Sequence, residues 1–181
     1  STSCMNCNNN SELDSLKITV LFGDHSNTIW FGSESGLFSY DPKFDKINRY
    51  PLEIGMINSI VNGKKNEIWV GSTDGLVRVI NGPNGDYKLY RKSNSKSSIV
   101  SNYIKDLAWD QSRNMLWIAT DNGISRYIPS EDKFFNIQTT PYADSIVEND
   151  ISELMVATRS GRLWYTTATE PGINCLSVDF S

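Results

Sequence analysis

The chain has 181 residues and a formal net charge of −4, long enough for one ordinary domain with a real core. Its longest basic run is Lys64-Lys65, which argues against a nucleic-acid backbone or an anionic membrane as partner. No window approaches the roughly 18 apolar residues of a membrane span, and a chain that opens at Ser1 leaves export unread. Five Trp, eight Tyr, seven Phe and twelve Gly, with frequent Asn and Ser, fit an all-β protein with many turns. Three Cys and one His supply neither a disulfide framework nor the four close ligands of a zinc site, so no metal and no cofactor is implied.

Residues 1–15 read as an unstructured leader, in which Cys4 and Cys7 can pair locally within an Asn-rich stretch. From 16 to 181 the pattern is strands and turns, without a helical period. Ile18, Thr19, Val20, Leu21 and Phe22 make a nearly continuous apolar run, predicting a strand buried on both faces. Residues 28–32 return as a second strand, 37–40 as a third and 47–50 as a fourth, with Pro42 marking a stop.

The same frame then recurs. The stretch Ile29-Trp30-Phe31-Gly32-Ser33-Glu34-Ser35-Gly36-Leu37 returns as Ile68-Trp69-Val70-Gly71-Ser72-Thr73-Asp74-Gly75-Leu76. It returns again as Leu116-Trp117-Ile118-Ala119-Thr120-Asp121-Asn122-Gly123-Ile124, and less clearly around Leu163-Trp164-Tyr165-Thr166-Thr167. The tryptophans are spaced by 39, 48 and 47 residues, a period that belongs to β-propeller blades. Ile18, Ile57, Ile104 and Ile151 align as first-strand residues, and the first hairpin is one residue longer in the last two units. The lead-ins 98–104 and 145–151 also match. Third strands are predicted at 76–80, 124–127 and 173–178, fourth strands at 87–91 and 134–137, and none for the last unit. The prediction is therefore an all-β chain of four propeller repeats of about 40–48 residues, each a four-stranded antiparallel sheet, the last incomplete.

The repeated residues have structural work to do. Trp30, Trp69, Trp117 and Trp164 are large flat fillers, expected to be buried equivalently between neighbouring sheets. The Gly or Ala two positions on leaves room for close packing. Gly36, Gly75 and Gly123 supply the positive φ of a tight hairpin turn.

Trp-x-Gly-Ser/Thr-x-x-Gly-Leu followed by an aromatic, with Asp41-Pro42 in one copy and Ile128-Pro129 in another, resembles the two-component regulator propeller repeat. The resemblance covers nearly all of 16–178. It implies an extracytoplasmic sensing region of a bacterial hybrid histidine kinase, periplasmic or extracellular. The chain departs from that family in having four units, with no kinase, transmembrane segment or immunoglobulin-like connector.

Several residues are candidates for contacts. The second-to-third-strand turns, with Glu34, Asp74, Asp121 and Asn122 (and Thr169-Glu170), should gather on one face and converge on a ligand. The competing reading is plain turn chemistry. Trp109, Arg159, Arg162 and Tyr103 have the polar-aromatic character that stacks on a sugar, or equally fill space between sheets. His25 beside Asp24 reads as a solvated turn residue rather than a catalytic base. The run Asp110-Gln111-Ser112-Arg113-Asn114 resembles a calcium loop only faintly, lacking its Gly and distal Glu.

No catalytic constellation stands out, so the expected function is non-catalytic ligand sensing or interaction in a two-component system. The partners expected are a carbohydrate or other small molecule, and either further blades of the same protein or a second copy in a homodimer. On that reading the chain supplies part of a larger ring and binds nothing tightly alone. The alternative is a propeller lyase or glycosidase working on a carbohydrate or other small ligand at the axial face.

Overall fold

The computed structural model describes residues 16–82, 85–139, 146–157, 160 and 162–177. Among them, fifteen strands form four antiparallel sheets, each a simple up-and-down meander. The first sheet contains β1 (Ile18–Gly23), β2 (Ile29–Ser33), β3 (Gly36–Asp41) and β4 (Lys46–Arg49). The second holds β5 (Ile57–Asn62), β6 (Glu67–Ser72), β7 (Gly75–Ile80) and β8 (Tyr87–Tyr90). The third holds β9 (Ile104–Asp110), β10 (Met115–Thr120), β11 (Gly123–Ile128) and β12 (Lys133–Ile137). The fourth has three strands, β13 (Ile151–Ala157), β14 (Arg162–Thr167) and β15 (Asn174–Leu176). The extra residue of the later units lies in the first hairpin, as expected: Trp30 and Trp69 pair with Phe22 and Val61, whereas Trp117 and Trp164 pair with Ala108 and Met155, one position further back along the chain.

Strand alternation sends one face of each sheet toward the next, and three apolar cores lie between successive sheets. Trp30 packs with Ile57, Ile60 and Val70 of the second sheet. Trp69 packs with Ile104, Leu107 and Ile118 of the third. Trp117 packs with Ile151, Leu163 and Tyr165 of the fourth. These three indoles are at most 2% exposed. Strand contacts run first to second, second to third and third to fourth, with no comparable packing of the fourth sheet on the first among the described residues.

A glycine sets the spacing. A Cβ placed on Gly32 would lie 2.4 Å from Ile57 Cβ, and one on Gly71 2.6 Å from Ile104 Cγ2. Each lead isoleucine thus sits in the notch left by the preceding sheet's glycine. Ala119 takes the same position beside Ile151, buried in the third core.

Two expectations are corrected here. β1 is not buried on both faces: Val20 and Phe22 pack into the first core, while Leu21 is 69% exposed. Only one of its faces meets a neighbouring sheet, which an apolar run by itself does not reveal. Nor is Trp164 equivalent to the other three, being only half-buried. It lies opposite Met155 and Cys175 in the ladder, and Met155 is 63% exposed. The indole faces the side on which the three other tryptophans meet a following sheet. The Cys4–Cys7 pair and the rest of the leader lie outside the described residues.

Trp69→Ala should cost about 3–5 kcal/mol through the cavity it opens, and Trp164→Ala clearly less. Urea unfolding of the two variants checks this, and equal losses would contradict the packing order.

Candidate functional site

The inner strands are joined by a repeated device. In every sheet the pairing of first and second strands shifts register just after the aligned isoleucine, leaving Thr19, Asn58, Lys105 and Ser152 as the extra residues. A bulge turns its side chain away from the ladder. Three of these side chains reach the next sheet. Thr19 Oγ1 donates to the Ile57 carbonyl, Asn58 Nδ2 donates to the Ile104 carbonyl at 2.7 Å, and Lys105 Nζ pairs with the Asp150 carboxylate.

Asp106, beside the third bulge, ties three sheets together. Its carboxylate accepts Ser59 Oγ–H of the second sheet at 2.9 Å and the Leu154 N–H of the fourth at 2.8 Å. Burial pushes its carboxyl above the usual range. The bonds from Leu154, Leu107 and Ser59 oppose that shift, and neighbouring Glu153 adds to it.

At one end of the array lie the second-to-third-strand turns. Gly36, Gly75 and Gly123 have φ of 124°, 127° and 117°, as a tight turn needs. The Ser or Thr of the repeat closes each turn. Ser33, Ser72 and Thr120 donate to the glycine carbonyl and accept the N–H of Ser35, Asp74 and Asn122. The predicted ligand residues sit here but engage local partners. Glu34 pairs with Lys17 at 2.7 Å, and Asp74 pairs with Arg91 at 2.8 Å while accepting Asn102 Nδ2. The Asn122 carbonyl accepts Gln138 Nε2, and Asp121 is exposed. Thr169 donates through its hydroxyl to Glu148, whose pKa lies below the usual range because of that bond and its fellows. Matching asparagines in the lead-ins lock successive sheets: the Asn102 and Asn149 carbonyls accept the Gly75 and Gly123 N–H.

At the other end lie the first hairpins, where Asn27, Asn66 and Asn114 take equivalent left-handed positions at φ 62°, 61° and 54°. Asp24 accepts the N–H groups of Ser26 and Thr28 on one oxygen and the Trp30 indole N–H on the other. In the second sheet Glu67 takes the Trp69 indole N–H at 2.7 Å and a two-pronged bond from Arg78. Asp110, the last residue of β9, closes the third hairpin: burial pushes its pKa up, but Ser112 and Arg113 together hold it below the usual range. Among the described residues, no group of three or more His, Cys, Asp or Glu is placed to hold a metal.

Two concavities open at this hairpin end. A crevice of about 290 Å³ between the first two sheets is lined by Asp24, Asp41 and Glu67 among others. Beside it, sharing His25 and Asn62, is an open cup of about 660 Å³ across the first three hairpins. Lys64 and Lys65 come from the second hairpin, and Trp109, Gln111 and Asn114 from the third. Of the sequence candidates, the structure brings Trp109 and His25 together here. Tyr103 is exposed on the lead-in to β9, Arg162 is exposed on β14, and Arg159 lies outside the described residues.

The extracellular domain of a hybrid two-component system from B. thetaiotaomicron shares this arrangement, with a TM-score of 0.71 at 22% identity over 91% of this chain. The four sheets are β-propeller blades. A second such domain from B. thetaiotaomicron gives a TM-score of 0.70 at 20% identity over 91% of this chain. The likeness falls on the kind of protein that the repeat motif resembles. This chain spans only 22% of each of those domains. Virginiamycin B lyase from Staphylococcus aureus is similar over 92% of this chain and 57% of the enzyme, with a TM-score of 0.60 at 17% identity. No protein-family model and no curated protein matches the sequence.

The blade stitches escaped sequence reading because Thr, Asn and Lys share no residue type; only alignment on the lead isoleucines exposes them. Asp106→Ala should cost about 1–3 kcal/mol by stranding buried donors. Because its pKa is raised on folding, its ionisation disfavours the folded state. Its contribution is therefore fullest below the ordinary value of 3.8 and declines as pH rises through the folded value. Urea unfolding of both proteins at acid and neutral pH should show the larger gap in acid.

Proposed function

We propose that this array is a ligand-sensing segment of an extracytoplasmic β-propeller in a two-component regulatory system, working by binding rather than catalysis. The observation that carries the reading is its likeness, over 91% of its length, to extracellular domains of hybrid two-component systems. The side chains support it. His25 is an exposed turn residue, and both oxygens of adjacent Asp24 are committed to the hairpin and the Trp30 indole. Asp24 is therefore not available to orient the histidine as the carboxylate of a catalytic base does.

The half-buried Trp164 and exposed Met155 and Ile173 mark the fourth blade's outer face as a packing surface. The occupant proposed is a further blade of the same protein, completing a larger ring, with a second copy as the other arrangement that would cover it. A second reading, a lyase, draws on the likeness to virginiamycin B lyase. It requires acid–base groups that converge on one cavity.

Sedimentation and calorimetric titration with a panel of oligosaccharides, with product analysis of each mixture, test the proposal. The expected outcome is weak saturable binding without turnover, and self-association through the end faces. A closed four-blade monomer with a submicromolar ligand, or turnover abolished by His25→Ala, would overturn it.

A further inference from the structure

The charge of the hairpin end is sorted. The crevice between the first two blades has three carboxylates, Asp24, Asp41 and Glu67, in its walls. The cup beside it has none, although the chain as a whole is acidic at −4. Its charged side chains are Lys64 and Lys65, both exposed on the second hairpin. Two lysines and no carboxylate in one lining favour an anion.

The rest of the lining narrows the ligand further. Trp109 is only partly buried: it packs on the second core and also lines the cup. Its indole adds apolar aromatic surface to a lining otherwise mostly polar. Asn62, Gln111 and Asn114 add three amides, each with donors and an acceptor. Groups that both give and receive hydrogen bonds suit hydroxyls, which do the same. The volume of about 660 Å³ lies within the range of small-molecule sites, roughly 300–1,000 Å³.

From this lining we infer that the cup binds an acidic sugar: the ring lies on Trp109, its hydroxyls meet the amides, and its carboxylate meets Lys64 and Lys65. The inference rests on the sensing reading and moves the ligand from the second-to-third-strand turns, where Glu34 and Asp74 are paired locally, to the opposite end. The lining comes from the hairpins of the first three blades.

Calorimetry on the whole chain at low salt, with tri-galacturonate as probe, tests it. Binding should saturate and weaken with salt. The fully methyl-esterified trimer should bind at least about tenfold more weakly, the size of one lost charge-assisted contact. The double variant Lys64→Gln, Lys65→Gln should lose a similar factor while unfolding in urea like the parent, since both side chains are exposed. Trp109→Leu should weaken the charged and esterified trimers alike. Equal affinity for both trimers, an unchanged double variant, or equally tight binding of inorganic phosphate or adenosine monophosphate would overturn the acidic-sugar site. So would no binding at all. A neutral sugar bound without regard to the lysines would overturn the cup and leave the sensing reading standing.

Discussion

The structure depends on one close approach, the seating of a lead isoleucine in the notch beside the preceding blade's glycine. Ile57 fits against Gly32 and Ile104 against Gly71, where any added Cβ would collide with it. Sheets packed this closely at their inner edges leave a wider gap further out. A tryptophan two residues before each notch fills that gap, and Trp30 and Trp69 are wholly buried there. The glycine and the tryptophan are thus two ends of one constraint: the first brings inner strands together, and the second supports the separation beyond them.

Close inner strands also explain the polar stitching. At that distance a side chain turned out by a bulge reaches the neighbouring strand's carbonyl, as Asn58 does to Ile104 at 2.7 Å. Backbone groups at the start of a first strand would otherwise be buried without partners, which is costly. Asp106 extends the device across three blades, and its raised carboxyl pKa records the burial it accepts to do so. The indole N–H groups of Trp30 and Trp69 meet the same requirement through Asp24 and Glu67.

Function then falls to what the frame leaves over. At the turn end, Ser33, Ser72 and Thr120 close their own turns, and Asp74 is held by Arg91 and Asn102. Side chains engaged so completely are poorly available to a ligand. At the hairpin end the left-handed asparagines fix the turns through the backbone, which frees the position two residues before to vary from His25 to Lys64 and Ser112. That freedom produces both an acidic crevice and a basic cup from one repeated hairpin.

The sequence by itself determined the blade count, the strand order and the jobs of Trp30, Trp69, Trp117 and their glycines. Those roles are local in period, and a period is visible in one dimension. It also marked Trp109 as a residue to watch, without a partner to place beside it. What only the tertiary structure decided is which face of each strand meets a neighbour. Leu21 reads as core and is exposed, because β1 packs on one side alone. Trp164 repeats the motif and stays half-buried, because burial is a property of the next sheet rather than of the residue. The stitches from Thr19, Asn58 and Lys105, and the meeting of His25, Lys64 and Trp109 in one cup, join residues about 40 or more positions apart. Such contacts depend on the angle between sheets, and no pattern along the chain encodes that angle.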